Sequence, residues 1–274
     1  MNKTMKISKI SLLMLLMTGN AWAAKSAKDI MVQNEENRRV NDFQARSKLE
    51  TGPINTGSAS AKVKEFTLWR KVQTDGIHNS TLTRFHVPAE VRNEGILIIE
   101  NPTGKNDVLL YLPNFKKIRR VETQQQSGSF MGSTFSYSDI ATPHVEDYSY
   151  RELRTETCPT AEAKGILCHV IECTPASEIV KERTGYSKSI LWVRDDNSMG
   201  VQGEYYNLEG ALFKQFSSSK ILMVDTKNKK WLAHEVTMKH LKNKEYTRLE
   251  FSSVKVNQGI ADSIFTQQNL QKVK

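Results

Sequence analysis

Six histidines, three cysteines and a scatter of acidic side chains are the material from which this chain would build a reactive or metal-binding centre. The histidines are His78, His86, His144, His169, His234 and His240, and none stands in an HxxxH or HExxH arrangement that sets two imidazoles on one helix face. His234 and His240 are six apart and share at most one strand face. Asp195, Asp196 and Glu100 are the acid–base candidates, and a turn and a strand end account for them. The glycine-bearing run SGSFMGS (127–133) has neither the GxSxG pattern of a nucleophile elbow nor the Lys-Ser/Thr ending of a phosphate loop. The reading is of a protein that is not an enzyme, with no catalytic residue, metal or other cofactor.

The cysteines point to compartment rather than chemistry. Cys168 and Cys173 lie five apart in GILCHVIEC, which alternates as a strand, so they face opposite sides and cannot pair within it. Cys158 and Cys168 flank a turn-like run, TAEAKG, and are a candidate disulfide across two adjacent strands. Whether that bridge forms stays open, and Cys173 reads as a buried thiol.

The elements that must position any site centre on 108–140, VLLYLPNFKKIRRVETQQQSGSFMGSTFSYSDI. Val108, Leu110 and Leu112 alternate with Leu109 and Tyr111 as in a strand, and Pro113-Asn114 breaks the ladder. A short basic strand follows, with Lys116, Lys117, Arg119 and Arg120 around Ile118. That cluster is either a solvated face guarding an edge strand or a docking patch for an acidic protein surface or anionic lipid. The next loop carries Phe130, Met131, Phe135 and Tyr137. Large apolar side chains cost roughly 1.5–3 kcal/mol each when left in water. The loop must therefore pack on a sheet or close over something apolar.

Before this stretch, Ser26 to about Arg38 reads as a helix, and NDFQARSKLE (41–50) alternates enough to be a first strand. TGPINTGSASA (51–61) reads as a loop of unassigned role. The runs AKVKEFTLWRKV (61–72), NSTLTRFHV (79–87) and GILIIE (95–100) precede the central stretch as strands. EDYSYREL, GILCHVIEC, SKSILWVRD, VQGEYYNL, ALFKQFSSS, WLAHEVTMKHL and YTRLEFSSVKV follow it with short polar or Gly-containing turns. DSIFTQQNL (262–270) reads as a short helix or an edge segment, capped by Asp262 or Ser263. An antiparallel meander of this many strands must curl to bury one face. The fold class is mainly β: a large curved antiparallel sheet, a half-barrel, with a few short helices covering its concave face. Candidate cavity residues on the strands are Phe66, Leu68, Phe85, Ile98, Leu110, Leu112, Trp192, Tyr205 and Phe213, joined by the four loop residues above.

The 274 residues carry a formal charge of +9, three of it from Lys3, Lys6 and Lys9. These precede the apolar run 10–17 and the small-x-small site Ala21-Trp22-Ala23, the pattern of a signal peptide cleaved after Ala23. Residues 24–274 then form one periplasmic domain. The remaining balance is only mildly basic, which argues against nucleic acid as a partner.

The runs LYLPNFKKIRRV and SGSFMGSTFSYSDI, WVR…EYYNLEGALFKQF (192–216) and LEFSSVKVNQGIADSIFT (249–266) resemble outer-membrane lipoprotein-sorting proteins with the fold of the LolA/LolB carriers. The resemblance covers most of the chain after about Glu65. It implies a LolA-like carrier domain binding lipid or the acyl chains of lipoproteins for transfer towards the outer membrane. It also implies transient contact with a membrane surface and an inner-membrane transporter of the resistance–nodulation–division type as partner. The competing reading is an envelope interaction module with a filled sheet, an accessory of such a transporter that carries nothing.

Overall fold

The computed structural model describes residues 25–55 and 60–272. The signal-peptide reading of residues 1–23 lies outside the described residues, as does the centre of the 51–61 stretch. The described chain begins with α1 (Ala27–Arg38), opened by a capping box: the Ser26 side chain accepts the Asp29 N–H, and the Asp29 carboxylate accepts the Ser26 N–H. Six strands follow: β1 (Asp42–Pro53), β2 (Lys62–Val72), β3 (Asn79–Val87), β4 (Gly95–Ile99), β5 (Asp107–Leu112) and β6 (Lys117–Val121). Residues 122–147 hold only short helical turns, including α2 (Tyr137–Ile140). Then come β7 (Tyr148–Thr157), β8 (Leu167–Pro175), α3 (Glu178–Thr184), β9 (Lys188–Arg194), β10 (Gly200–Tyr206), β11 (Leu212–Asp225), β12 (Lys230–His240), β13 (Glu245–Val256) and α4 (Gln267–Leu270).

All thirteen strands belong to one antiparallel sheet in the order β6-β5-β4-β3-β2-β1-β13-β12-β11-β10-β9-β8-β7. Two meanders therefore meet where β1 pairs with β13, and the sheet curves as a half-barrel without closing. The first strand runs on to Pro53, pairing there with Glu245, so the loop expected over 51–61 starts later. Proline ends the strand at a position where its missing N–H costs little.

This order has one geometric consequence that organises the molecule. β6 and β7 are consecutive in sequence but lie at opposite edges of the sheet. The segment 122–147 must therefore cross the whole inner face to join them. Phe130 and Phe135 fasten it there, 0% and 4% exposed, against Phe66, Phe85, Ile98 and Leu110. The Thr134 N–H donates to Thr247 Oγ1 at 2.9 Å, and the Thr134 hydroxyl donates to the Met238 carbonyl at 2.7 Å, tying the segment to β13 and β12.

The outer face of β3–β5 is covered as well. Residues 257–272 lay Ile260, Phe265 and Leu270 on Leu82, Leu97, Leu109 and Tyr111. Asp42 accepts the N–H groups of Gln258 and Gly259 at 2.7 and 2.8 Å, fixing where this return begins. Arg84 clips its end by donating to the carbonyls of Asn269 and Leu270. Gly95 makes the close approach possible: a Cβ there would stand 2.8 Å from Leu270 Cδ1. Burial on both faces explains why GILII in β4 is apolar without alternation. The helix in this segment is capped by Thr266, not by Asp262 or Ser263 as expected, because only Thr266 presents its hydroxyl to the Asn269 N–H. Helix α3 is not anticipated from the sequence, although its Ser177 N-cap and left-handed Gly185 C-cap are ordinary helix signals. Cys158 and Cys168 form a disulfide with Cα atoms 5.0 Å apart on the outer side of β7–β8, and Cys173 is a buried free thiol facing the inner side.

Candidate functional site

The inner face is filled unevenly. Over β2–β6 the crossing segment lies directly on the sheet, and the rings of Phe66, Phe85, Phe130 and Tyr137 stack at centroid distances of 5.0–6.4 Å. Towards β7–β13 the crossing segment and α1 stand away from the sheet and leave a cavity of about 340 Å³, within the usual range for small-ligand sites. Its apolar wall includes Met31, Leu68, Phe135, Leu191, Val193, Phe216, Leu232 and Met238. A second groove, about 840 Å³, lies over β1, β2 and β13 between Arg46, Lys48, Glu65, Thr67, His86 and Glu250. Its lining is chiefly charged and polar, so the smaller cavity is the better apolar site.

Of the thirteen residues expected to line a cavity, the structure places Leu68, Phe135 and Tyr205 on this one. Phe66, Phe85, Ile98, Leu110 and Phe130 belong to the packed core beside it, with Leu112, Met131 and Tyr137 at its margin. Phe213 packs against Tyr186 and His240. Trp192 lies on the opposite face of the sheet, in the cluster around the disulfide, where its indole N–H donates to Glu156 at 2.6 Å. Alternation in β9 is real, but Leu191 and Val193 take the inner positions, which puts Trp192 outside. Lys116, Lys117, Arg119 and Arg120 are exposed on or beside edge strand β6, next to Phe115 at 69% exposed; Arg120 pairs with Asp107.

Two buried polar clusters, one around His144 and one around Asp139, reach the cavity walls through Glu35, Asp139 and Tyr186. Glu100, at the end of β4, accepts the N–H groups of Asn79 and Thr142 at 2.7 Å each and stands 2.9 Å from His144 Nε2. The other ring nitrogen of His144 is 3.6 Å from Glu35 on α1, and Glu35 also accepts the Val145 N–H at 2.7 Å and pairs with Arg39. Burial works against the charged ring, but the two carboxylates outweigh it and push His144 up to about 9. Burial also opposes the charge on Glu35, yet His144 and the Val145 N–H bring it down to about 2; Glu100 is lowered by the same ring. On the other wall, Asp139 accepts from the Tyr186 hydroxyl at 2.6 Å and from Lys214 Nζ at 3.0 Å. Arg38 and Arg70 also line the cavity, and sequence spacing holds a signal for both. Arg70 shares strand parity with Phe66 and Leu68, and Arg38 follows Ile30, Met31, Asn34 and Glu35 on one helix face. Polar residues at core-facing positions were the feature to notice.

The histidine cluster makes stability depend on pH with a definite sign. His144 is raised above its ordinary 6.5, so its contribution is complete below 6.5 and is lost as pH climbs through about 9. Glu35 is depressed, so its contribution is complete above its ordinary 4.5 and is lost as pH falls through about 2. The cluster stabilises most between about pH 4.5 and 6.5. Urea unfolding at pH 6 and pH 9 should show a loss on the order of 2–3 kcal/mol in the wild type. His144→Gln should flatten that difference. An equal loss in both proteins would assign the pH dependence to other groups.

The open sheet, the segment crossing its inner face and the half-covered cavity define a LolA-like fold. Solved structures agree on the fold. A protein from Vibrio parahaemolyticus described as an outer membrane lipoprotein-sorting domain superposes with a TM-score of 0.79 at 23% identity, covering 90% of this chain and 98% of that one. A DUF1329 family protein from Desulfovibrio piger gives 0.80 at 23% identity, with 89% and 97% covered. A LolA superfamily protein from Nitrosomonas europaea gives 0.68 at 21% identity, with 90% and 100% covered. No curated protein matches. The family model that matches spans residues 78–272 and carries the description "Uncharacterized protein", and the chain belongs to that family.

Proposed function

We propose that this protein is a non-enzymatic periplasmic carrier that shelters lipid, or the acyl chains of lipoproteins, on its way towards the outer membrane. The observation that carries this reading is the apolar-walled cavity of about 340 Å³ between α1, the crossing segment and the inner face of β7–β13. Burial of a chain supplies affinity without any reaction, at about 0.8 kcal/mol per methylene, so about ten methylenes contribute about 8 kcal/mol before the costs of association. The Vibrio relative, described as lipoprotein-sorting, supports the cargo class. The leader-like residues 1–23 and the Cys158–Cys168 disulfide support an oxidising, exported setting. No helix among the described residues is long and apolar enough to cross a membrane, so cargo would be exchanged at a surface. We assign that contact to the β6 edge, where Phe115 stands exposed among Lys116, Lys117, Arg119 and Arg120.

A second reading, an envelope module that binds an inner-membrane transporter and carries nothing, draws on the closely filled half of the sheet over β2–β6. Native mass spectrometry of the mature protein purified from periplasm, followed by organic extraction, separates the two. A stoichiometric lipid or acylated peptide is expected. An empty protein that also refuses a fluorescent acyl probe would favour the module.

A further inference from the structure

The charged groups around the cavity do not balance. Glu35 pairs with Arg39, Glu100 with His144, and Asp139 with Lys214. Arg38 and Arg70 also wall the cavity, and among the described residues neither has a carboxylate within salt-bridge distance. Arg38 uses its Nε on the Asn34 carbonyl of its own helix, at 3.3 Å. Arg70 donates to Thr81 Oγ1 and to the Ile140 carbonyl, at 3.1 and 2.8 Å. Burial holds both guanidinium groups below their ordinary value, and the charges of Glu35 on Arg38 and of Glu100 on Arg70 offset this only in part; the Arg70 charge lowers Arg38 a little further. Two further donors face the same space: the phenols of Tyr148 and Tyr205 line the cavity and donate to no other described residue. The apolar wall is thus joined to a group of donors that includes two guanidinium groups held by neutral acceptors and by no carboxylate in salt-bridge contact. Guanidinium groups bind oxyanions such as carboxylate and phosphate with paired N–H donors.

We propose that Arg38 and Arg70 form a head-group site, and that the cavity selects a single-chain amphiphile ending in a carboxylate or phosphate over a neutral one of equal length. Arg38 reaches the site from α1 and Arg70 from β2, so the anion would bridge the helix and the sheet. This inference rests on the carrier reading and gives its cargo a charge.

The test is displacement of a neutral naphthylamine fluorophore from the mature protein by dodecanoate, dodecyl phosphate, dodecanol, acetate and inorganic phosphate, each below its aggregation limit. The anionic amphiphiles should displace the probe at about one-tenth the concentration of dodecanol, the effect expected of a charge-assisted contact. Arg38→Met keeps the apolar stem and should weaken dodecanoate about tenfold while leaving dodecanol within about twofold. Arg70→Gln, checked for folding by circular dichroism, should act in the same direction. Equal displacement by dodecanoate and dodecanol in the wild type would overturn the head-group site and leave the carrier reading standing. If acetate or phosphate displaces as well as dodecanoate, the site recognises a free anion and the amphiphile proposal falls. If the fluorophore does not bind and no amphiphile does either, carrier and head-group site fall together.

Discussion

Replacing Phe130 with alanine is expected to destabilise the protein by about 3–5 kcal/mol, the range for deleting a fully buried aromatic ring. Phe130 is 0% exposed and its ring lies 6.4, 6.1 and 5.8 Å from those of Phe66, Phe85 and Tyr137. It is the point at which the crossing segment is pinned to β2 and β3. The local backbone cannot collapse easily into the gap, because the Phe130 N–H donates to the Phe135 carbonyl at 2.8 Å and Thr134 is held to both β12 and β13. A cavity would remain, and its cost adds to the lost transfer energy. The midpoint of urea unfolding reads this directly. A loss under about 1 kcal/mol would mean that the segment rests on the sheet without being packed into it.

The second large effect concerns Asp139. Its carboxylate accepts from the Ser136 N–H at 2.8 Å, the Tyr186 hydroxyl and Lys214 Nζ, while Lys214 and Asp139 are 6% and 9% exposed. Asp139→Ala strands the Lys214 ammonium beside the rings of Tyr186 and Phe213 with no counter-charge. A buried charge deprived of its partner costs about 3–5 kcal/mol. Removing both charges is far less costly, so Asp139→Leu with Lys214→Met should regain most of that loss. Recovery will be incomplete, because the Tyr186 hydroxyl loses both its acceptor and its donor. A double variant as unstable as Asp139→Ala alone would show that the pair matters through Tyr186 rather than through its own charge balance. Both experiments probe the same feature from opposite walls: Phe130 holds the crossing segment over β2–β3, and Asp139 holds it to Tyr186, just before β9, and to Lys214 on β11.

The sequence by itself carries the local structure of this protein. Alternation in LYLP, STLTRF and the later runs gives strands, Ser26 with Asp29 gives the start of α1, and a loop carrying Phe130 and Phe135 cannot remain in water. Each is a property of residues within a few positions of one another, and period, capping and hydrophobic burial act at that range. The resemblance to lipoprotein-sorting proteins supplies the half-barrel. Period 2 also says which residues share a face, but not which face turns inward, and that is why Trp192 is outside while Arg70 is inside. Only the tertiary structure decides that β1 pairs with β13, since the partners come from opposite ends of the chain. That pairing separates β6 from β7 and sends residues 122–147 across the sheet. The crossing in turn brings together Glu35, Glu100 and His144, and encloses one cavity walled by both Arg38 and Arg70, residues tens to more than a hundred positions apart. A buried charge is stable only where its partners converge in space, and no local rule in the sequence specifies that convergence.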